Sequence, residues 1–307
     1  MSGPPPDSLA FAFLQAARID AAVFAGQSLA DGLLVRVTPA VRPAVQDLVY
    51  GSLRRFGSGD FLLGRLLTRP LDAPEVRALL LIALYRLETR PDAAHTIVDQ
   101  AVAAAGEMVE GRFRGLVNGV LRNYLRQQPQ LLAELAADPV AASQHPDWWL
   151  RRLQAAYPAS WPDVVAAGNQ PPPMALRVNR RRCSPAEYQT SLNAEGIGAN
   201  MFGEAGLLLD RPLPVDRLPG FAEGLVSVQD PAAQKAAALL DPAPGSRVLD
   251  ACAAPGGKAA HLLERTDLDL LALDLKPSRC RRVAENLARL GLRATITAAD
   301  CTRQAGD

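Results

Sequence analysis

Apolar residues change their spacing along this chain, and each spacing predicts a kind of element. Up to residue 127 they recur three and four apart, as in Val41, Val45 and Leu48, extending to Phe56, and in Val76, Leu79, Leu80, Ala83 and Leu87. That is the stripe of an amphipathic helix. Thr38 and Pro39 read as a cap with proline in the first turn, and Asp72 with Glu75 has the spacing of a capping-box variant. Helices predicted over 91–105 and 111–127 bring the total to at least five, enough for a compact all-α bundle.

Between 140 and 173 the pattern breaks at Pro146, Pro158, Pro162 and the run 171–173, which predicts a connector of short helices. All three tryptophans, Trp148, Trp149 and Trp161, fall here, and domain packing is the more frequent use of such residues. From 247 onward the order becomes strand, turn, helix, strand. An apolar strand ends at Asp250, a small-residue turn occupies 251–258, a helix runs to Arg265, and strands are predicted over 268–273 and 294–297. That order builds a nucleotide-sized pocket at the carboxyl end of the first strand of an open α/β sheet.

The turn reads Ala251-Cys252-Ala253-Ala254-Pro255-Gly256-Gly257-Lys258. Small residues let a ligand approach the backbone, and the first free N–H groups of the following helix carry partial positive charge. Asp274 stands about twenty residues past the turn, where an acid usually grips ribose hydroxyls, and Asp300 holds the same relative place after the third strand. A phosphate-cradling loop would need glycine at Cys252 and a hydroxyl at Ala259, and the fingerprint G-x-G-x-x-G is missing. The ligand left by these exclusions is a nucleoside with little or no phosphate, and S-adenosylmethionine fits. Lys258 opposes the helix dipole, which points to a functional reason for it, and Asp250 is placed to order the turn through backbone N–H groups.

Residues 251–258 resemble the first motif of the RNA cytosine-C5 methyltransferases. The stretch 224–234 is similar to their lead-in to the first strand, and 174–179 to the opening of their RNA-binding subdomain. The first hundred-odd residues resemble the NusB-like domain at the front of the bacterial 16S ribosomal RNA branch (RsmB/Sun/Fmu). The resemblance implies a multidomain protein: an all-α NusB-like bundle over 1–138, a small α/β connector and RNA-binding subdomain over 139–223, and the first three strands of a Rossmann-like methyltransferase domain over 224–307. It implies cofactor contacts at Cys252, Ala253, Ala254, Pro255, Gly256, Gly257 and Lys258, with Asp274 on the ribose and Asp300 beside the adenine. The implied reaction is methylation of cytosine C5 in 16S ribosomal RNA. Arg177, Arg180, Arg181 and Arg182 place four arginines in six residues beside a strand, and are candidate phosphate contacts.

One departure from the family pattern matters for chemistry. Cytosine C5 is a poor nucleophile until a cysteine thiolate adds at C6. The family's cysteine motifs, roughly Asp-Ala-Pro-Cys-Ser and Thr-Cys-Ser, are absent, so no catalytic residue is assigned. Cys252 lies in the cofactor turn and Cys280 on the apolar stripe Cys280, Val283, Leu287, Leu290. Cys183 and Cys301 read as incidental. Ending after three strands would leave the first strand as an unpaired edge, so the chain is expected to be the front part of a longer protein, inactive alone. The alternative is a non-catalytic RNA-binding or ribosome-assembly protein with a vestigial cofactor fold. The reading frame beyond Asp307 separates the two.

Composition adds exclusions. Hydrophobic residues make up 49% of the chain without a run of membrane-spanning length, so no transmembrane helix is expected. Residues 1–7 are unlike a signal peptide, which leaves a cytoplasmic assignment as the expectation; a monomer is expected separately, with nothing in the sequence fixing the oligomeric state. Four scattered cysteines match neither a zinc pattern nor a disulfide framework, and no metal is expected. A net charge of +1 does not announce nucleic acid; only Lys235, Lys258 and Lys276 among the 33 basic residues are lysines. In the helical region, Arg54, Arg55, Arg112, Arg114, Arg122 and Arg126, with Asn118 and Asn123, fit a solvated face or an RNA contact equally. His95 reads as a packing or capping residue.

Overall fold

A computed structural model describes residues 3–29 and 32–303, and the chain divides into two compact units, Met1–Pro171 and Pro172–Asp307. The first is helical: α1 (Leu9–Phe24), α2 (Arg42–Arg54), α3 (Phe56–Leu66), α4 (Pro74–Thr89), α5 (Ala94–Gly106), α6 (Arg114–Ala137), α7 (Pro139–Ser143), α8 (Asp147–Ala156) and α9 (Trp161–Gly168). Ser8 caps α1 by accepting from the Phe11 amide at 3.1 Å. Helix α4 buries Val76, residues 78–84 and Leu87, so it is apolar on nearly every side and forms the centre. Helices α1, α2, α3, α5 and α6 pack around it.

Several local expectations shift. Helix α2 starts at Arg42 with proline in its first turn, after Thr38 and Pro39, and Val41 makes no side-chain cap. Val41, Val45 and Leu48 are buried as expected, but Phe56 opens α3 and is exposed. Asp72 and Glu75 form no capping box, because Ala73 is the cap residue of α4. Helix α6 runs through Pro129 to Ala137, ten residues beyond the predicted end. Tertiary burial of Leu131 offsets the backbone bond that proline removes. On α6, Arg122 binds Asn118 and Arg126 binds Asn123, along an exposed face. His95 is exposed on α5. Trp149 and Trp161 join a small core with Leu150, Leu153 and Val165, whereas Trp148 is left 60% exposed.

The second unit holds two sheets. Strands β1 (Ala175–Val178), β2 (Ala199–Phe202), β3 (Gly206–Leu209) and β4 (Val226–Val228) form an antiparallel sheet in the order β2-β3-β1-β4, with α10 (Pro185–Ala194) packed on it. The capping box that the sequence reading missed is here: Ser184 accepts from the Glu187 amide, and Glu187 accepts from the Ser184 amide. After α11 (Pro231–Leu240) come β5 (Arg247–Asp250), α12 (Gly257–Arg265), β6 (Asp269–Asp274), α13 (Pro277–Leu290) and β7 (Thr295–Ala298). These three strands pair in parallel in the order β5-β6-β7. Their core takes Ala259, Ala260, Leu262 and Leu263 from α12 and Val283, Leu287 and Leu290 from α13. The stripe from Cys280 to Leu290 is buried as expected. Among the described residues β5 pairs only with β6, and Leu249 on it is 57% exposed. The expected architecture is present: helical bundle, small α/β subdomain, and three strands of a Rossmann-like domain.

The two sheets are stitched to each other. Arg289 at the end of α13 donates to the carbonyls of Phe221 and Val226 at 2.6 and 3.0 Å, and Asn179 donates to the carbonyls of Gly224 and Leu290. Gly224 has φ of 75°, and a Cβ there would lie 2.4 Å from the Arg289 carbonyl oxygen, so the approach needs glycine.

In the helical unit, Asp20 is fully buried and accepts from the Ser52 hydroxyl at 2.6 Å. Burial pushes its carboxyl up to about 7, with the Ser52 bond opposing. The folded protein therefore keeps a proton that the unfolded chain has lost, and stability falls as pH rises from about 4 to about 7. The whole window is worth ~4 kcal/mol at ~1.4 kcal/mol per pH unit. Asp20→Asn is expected to flatten this slope in thermal melts between pH 4.5 and 8; parallel slopes in the two proteins would remove the assignment.

Candidate cofactor site

Parallel strands joined by right-handed crossovers send their carboxyl ends to one edge of the sheet. At that edge Asp250 ends β5, Asp274 ends β6, and Asp300 lies two residues past β7. Between Asp250 and α12 the chain makes the small-residue turn, with a cis peptide between Ala254 and Pro255. Gly256 sits in the left-handed region at φ of 96° and immediately precedes α12. The turn is fastened from beneath. The Ala253 amide donates to the Leu273 carbonyl at 2.8 Å, and the Ala254 amide donates to Asp274 Oδ2 at 3.2 Å. Asn286 and Arg279 reach the carbonyls of Pro255 and Ala254 from α13.

The three acids differ in setting. Asp250 is half-buried, and its Oδ2 is a buried atom without a hydrogen-bond partner. Burial pushes its carboxyl up, opposed by the Cys252 and Ala259 amides and by the Lys258 ammonium. Lys258, exposed at the start of α12, thus has an acid within electrostatic reach, which accounts for a cation at the wrong end of the helix dipole. Asp274 is buried: it accepts from the Ala254 and Lys276 amides and pairs with Arg279 at 3.3 Å. Asp300 is half-buried, and the Thr302 hydroxyl and amide hold its carboxyl below the usual range. Within the turn, Cys252, Pro255 and Lys258 are exposed, Ala254 and Gly257 half-buried, and Ala253 and Gly256 buried.

The arginine cluster separates. Arg180 pairs with Glu204, Arg181 with Asp267, and Arg182 donates to the Leu290 carbonyl; all three are exposed. Arg177 is a correction to the sequence reading. Its side chain is fully buried, every hydrogen bond it makes is internal, and it cannot reach a phosphate. Its strand is buried at all four positions, which the spacing of residues did not reveal. Its partner Glu264 on α12 was not anticipated either. Near them His261 has an unpartnered, buried Nδ1, and burial, with the Arg177 and Arg265 charges, lowers its pKa to about 4.

Of the cysteines, Cys280 is buried, with its Sγ 3.6 Å from the Asp274 and Thr297 carbonyls, and burial pushes the Cys183 thiol up. Cys252 and Cys301 are exposed. Among the described residues no group of three or more His, Cys, Asp or Glu is placed to hold a metal, and no helix is long and apolar enough to cross a membrane.

Comparison with known proteins divides the chain three ways. Residues 10–126 match the NusB family, 145–216 the RsmF/B-like ferredoxin-like domain, and 237–306 the family described as 16S rRNA methyltransferase RsmB/F. Ribosomal RNA small subunit methyltransferase B of Pseudomonas syringae pv. tomato is 44% identical over 302 residues, covering 95% of this chain and 67% of that protein. The chain belongs to the RsmB/F family of 16S rRNA methyltransferases. The protein of the same name from Escherichia coli O6:H1 is 39% identical over 295 residues, 94% of this chain and 68% of that one. The crystal structure of PH0851 has the same fold, with a TM-score of 0.77 at 19% identity over 99% of this chain and 71% of that chain. In this RsmB/F-family protein the site therefore lies inside the stretch matching the methyltransferase domain.

Gly256→Ala forces a side chain into the left-handed region and sets a Cβ 3.3 Å from Val283 Cγ1. The expected loss is about 1–2 kcal/mol in denaturant unfolding. Unchanged stability would show that the turn relaxes freely.

Proposed function

We propose that this chain binds S-adenosylmethionine over the turn Cys252, Ala253, Ala254, Pro255, Gly256, Gly257 and Lys258, and that the cofactor held there serves the methyl transfer of its family to cytosine C5 of 16S ribosomal RNA, a reaction for which these 307 residues supply no assigned nucleophile. One observation carries the reading: carboxylates at the ends of three consecutive parallel strands surround a small-residue turn that opens into a helix amino end. When bound, the cofactor supplies an electrophilic methyl group on a sulfonium. The unpartnered Oδ2 of Asp250 fits a site with a polar group still to be satisfied.

In this reading Asp274 takes the ribose hydroxyls. A carboxylate has about four acceptor positions, and three donors already use this one, so Arg279, half exposed, moves aside to free it. Asp300 accepts from the adenine amine. Arg180, Arg181 and Arg182 contact RNA phosphates: the present partners of Arg180 and Arg181 are surface pairs of small energy, which a phosphate replaces readily, and Arg182 is exposed beside them with a bond to the Leu290 carbonyl. No cysteine of the chain is assigned as nucleophile. Cys280 is enclosed, burial pushes the Cys183 thiol up, Cys252 belongs to the cofactor turn, and Cys301 directly follows Asp300.

Calorimetric titration with S-adenosylhomocysteine tests the reading. Asp274→Ala is expected to weaken binding about tenfold or more, from loss of charge-assisted hydrogen bonds worth ~1.5–3 kcal/mol each. Unchanged affinity removes the ribose role, and no binding by the unaltered chain favours a vestigial cofactor fold. Incubated with 16S ribosomal RNA and labelled S-adenosylmethionine, the 307-residue chain is expected to yield no 5-methylcytosine. Label in that base would overturn the cysteine argument.

A further inference from the structure

Strand β1 belongs to the antiparallel sheet, yet the longest side chain on it is spent on the neighbouring domain. Arg177 Nε and Nη2 donate to the two carboxylate oxygens of Glu264 at 2.7 Å each, a bidentate pair with both side chains almost wholly removed from solvent. Nη1 donates to Gln229 Oε1 at 2.5 Å and to the backbone carbonyl of Gly257 at 2.8 Å. Gln229 is fixed in turn, its amide donating to the Ala175 carbonyl and its own carbonyl accepting from Gln234. Four of the five guanidinium N–H groups are thus accounted for.

The contact with Gly257 is the informative one. Gly257 is the first residue of α12 and follows the left-handed Gly256, so its carbonyl lies where the cofactor turn becomes helix. Glu264 sits seven residues on, about two helical turns away on the same face. Helical side chains lean toward the amino end, which lets the Glu264 carboxylate and the Gly257 carbonyl meet one guanidinium. A single side chain therefore grips α12 at its start and along its length. A buried ion pair is a poor way to gain stability alone, because desolvation offsets the attraction and apolar residues often do as well. Apolar residues cannot donate to the Gly257 carbonyl.

We propose that Arg177 is a positioning residue for the cofactor site, holding the first turn of α12 and the preceding loop so that their free amides face the ligand. Glu264 orients the guanidinium for that contact. The inference rests on the cofactor reading above, and concerns a residue outside the stretch that binds.

Three variants of the full chain test it: R177M, R177M/E264M and R177K. Each is followed by thermal melting, by hydrogen–deuterium exchange over residues 252–260, and by titration with S-adenosylhomocysteine. R177M strands a buried carboxylate and is expected to lower the melting temperature, and the double variant to regain most of it. R177K keeps a charge opposite Glu264, but an ammonium cannot span the fork. In all three, exchange in the turn is expected to rise and affinity to fall about tenfold or more. A double variant with restored melting, unaltered exchange and unaltered affinity would make the pair purely structural and overturn the proposal. If the unaltered chain takes up no S-adenosylhomocysteine while turn exchange still rises in the variants, the cofactor reading fails and the positioning role stands. If the ligand binds and neither exchange nor affinity responds to loss of Arg177, the positioning role fails and the cofactor reading stands.

Discussion

Parallel pairing of β5, β6 and β7 is the constraint on which the site depends. Parallel neighbours cannot be joined by a tight hairpin, so each connection must carry a helix back along the sheet. Helices α12 and α13 are those connections, and both contribute to the core on the same sheet. Every strand then ends at the same edge, which brings Asp250, Asp274 and Asp300 together although they span fifty residues of sequence. The turn between β5 and α12 must reverse direction in a few residues beside packed helices, and small side chains with a left-handed glycine are what that geometry admits.

A second level of order ties the antiparallel sheet to this edge. Arg177, Asn179 and the lead-in to β4 meet α12 and α13 through buried and part-buried hydrogen bonds. Hydrogen bonds fix distance and direction where apolar contact fixes only proximity. The matched ferredoxin-like and methyltransferase stretches, 145–216 and 237–306, are joined by this lead-in, and its Gly224 admits the α13 backbone at close range.

How legible each feature was depended on how local its cause is. The helical region, the three parallel strands and the stripe Cys280, Val283, Leu287, Leu290 follow from periodicity, and the structure has them. Helix ends were harder. Asp72 with Glu75 has capping-box spacing without forming one, while Ser184 with Glu187 forms one in a stretch dominated by arginines. The turn and its acids were recognisable because the residue types are unusual in combination. Arg177 was misread because four arginines in a row of six invite an electrostatic interpretation, and burial is invisible in spacing.

By itself the chain's order of residues determined the kinds of element, the position of the turn and the identity of the acids, since each rests on backbone preference or on neighbours within a few positions. Only the tertiary structure decided which arginine faces solvent and which is enclosed, that Asp274 braces the Ala254 amide, and that Arg177 reaches Gly257. Those outcomes join residues twenty to eighty-seven positions apart, as from Ala254 to Asp274 and from Arg177 to Glu264. Contacts of that span depend on how sheets and helices stack, which no short stretch of sequence encodes.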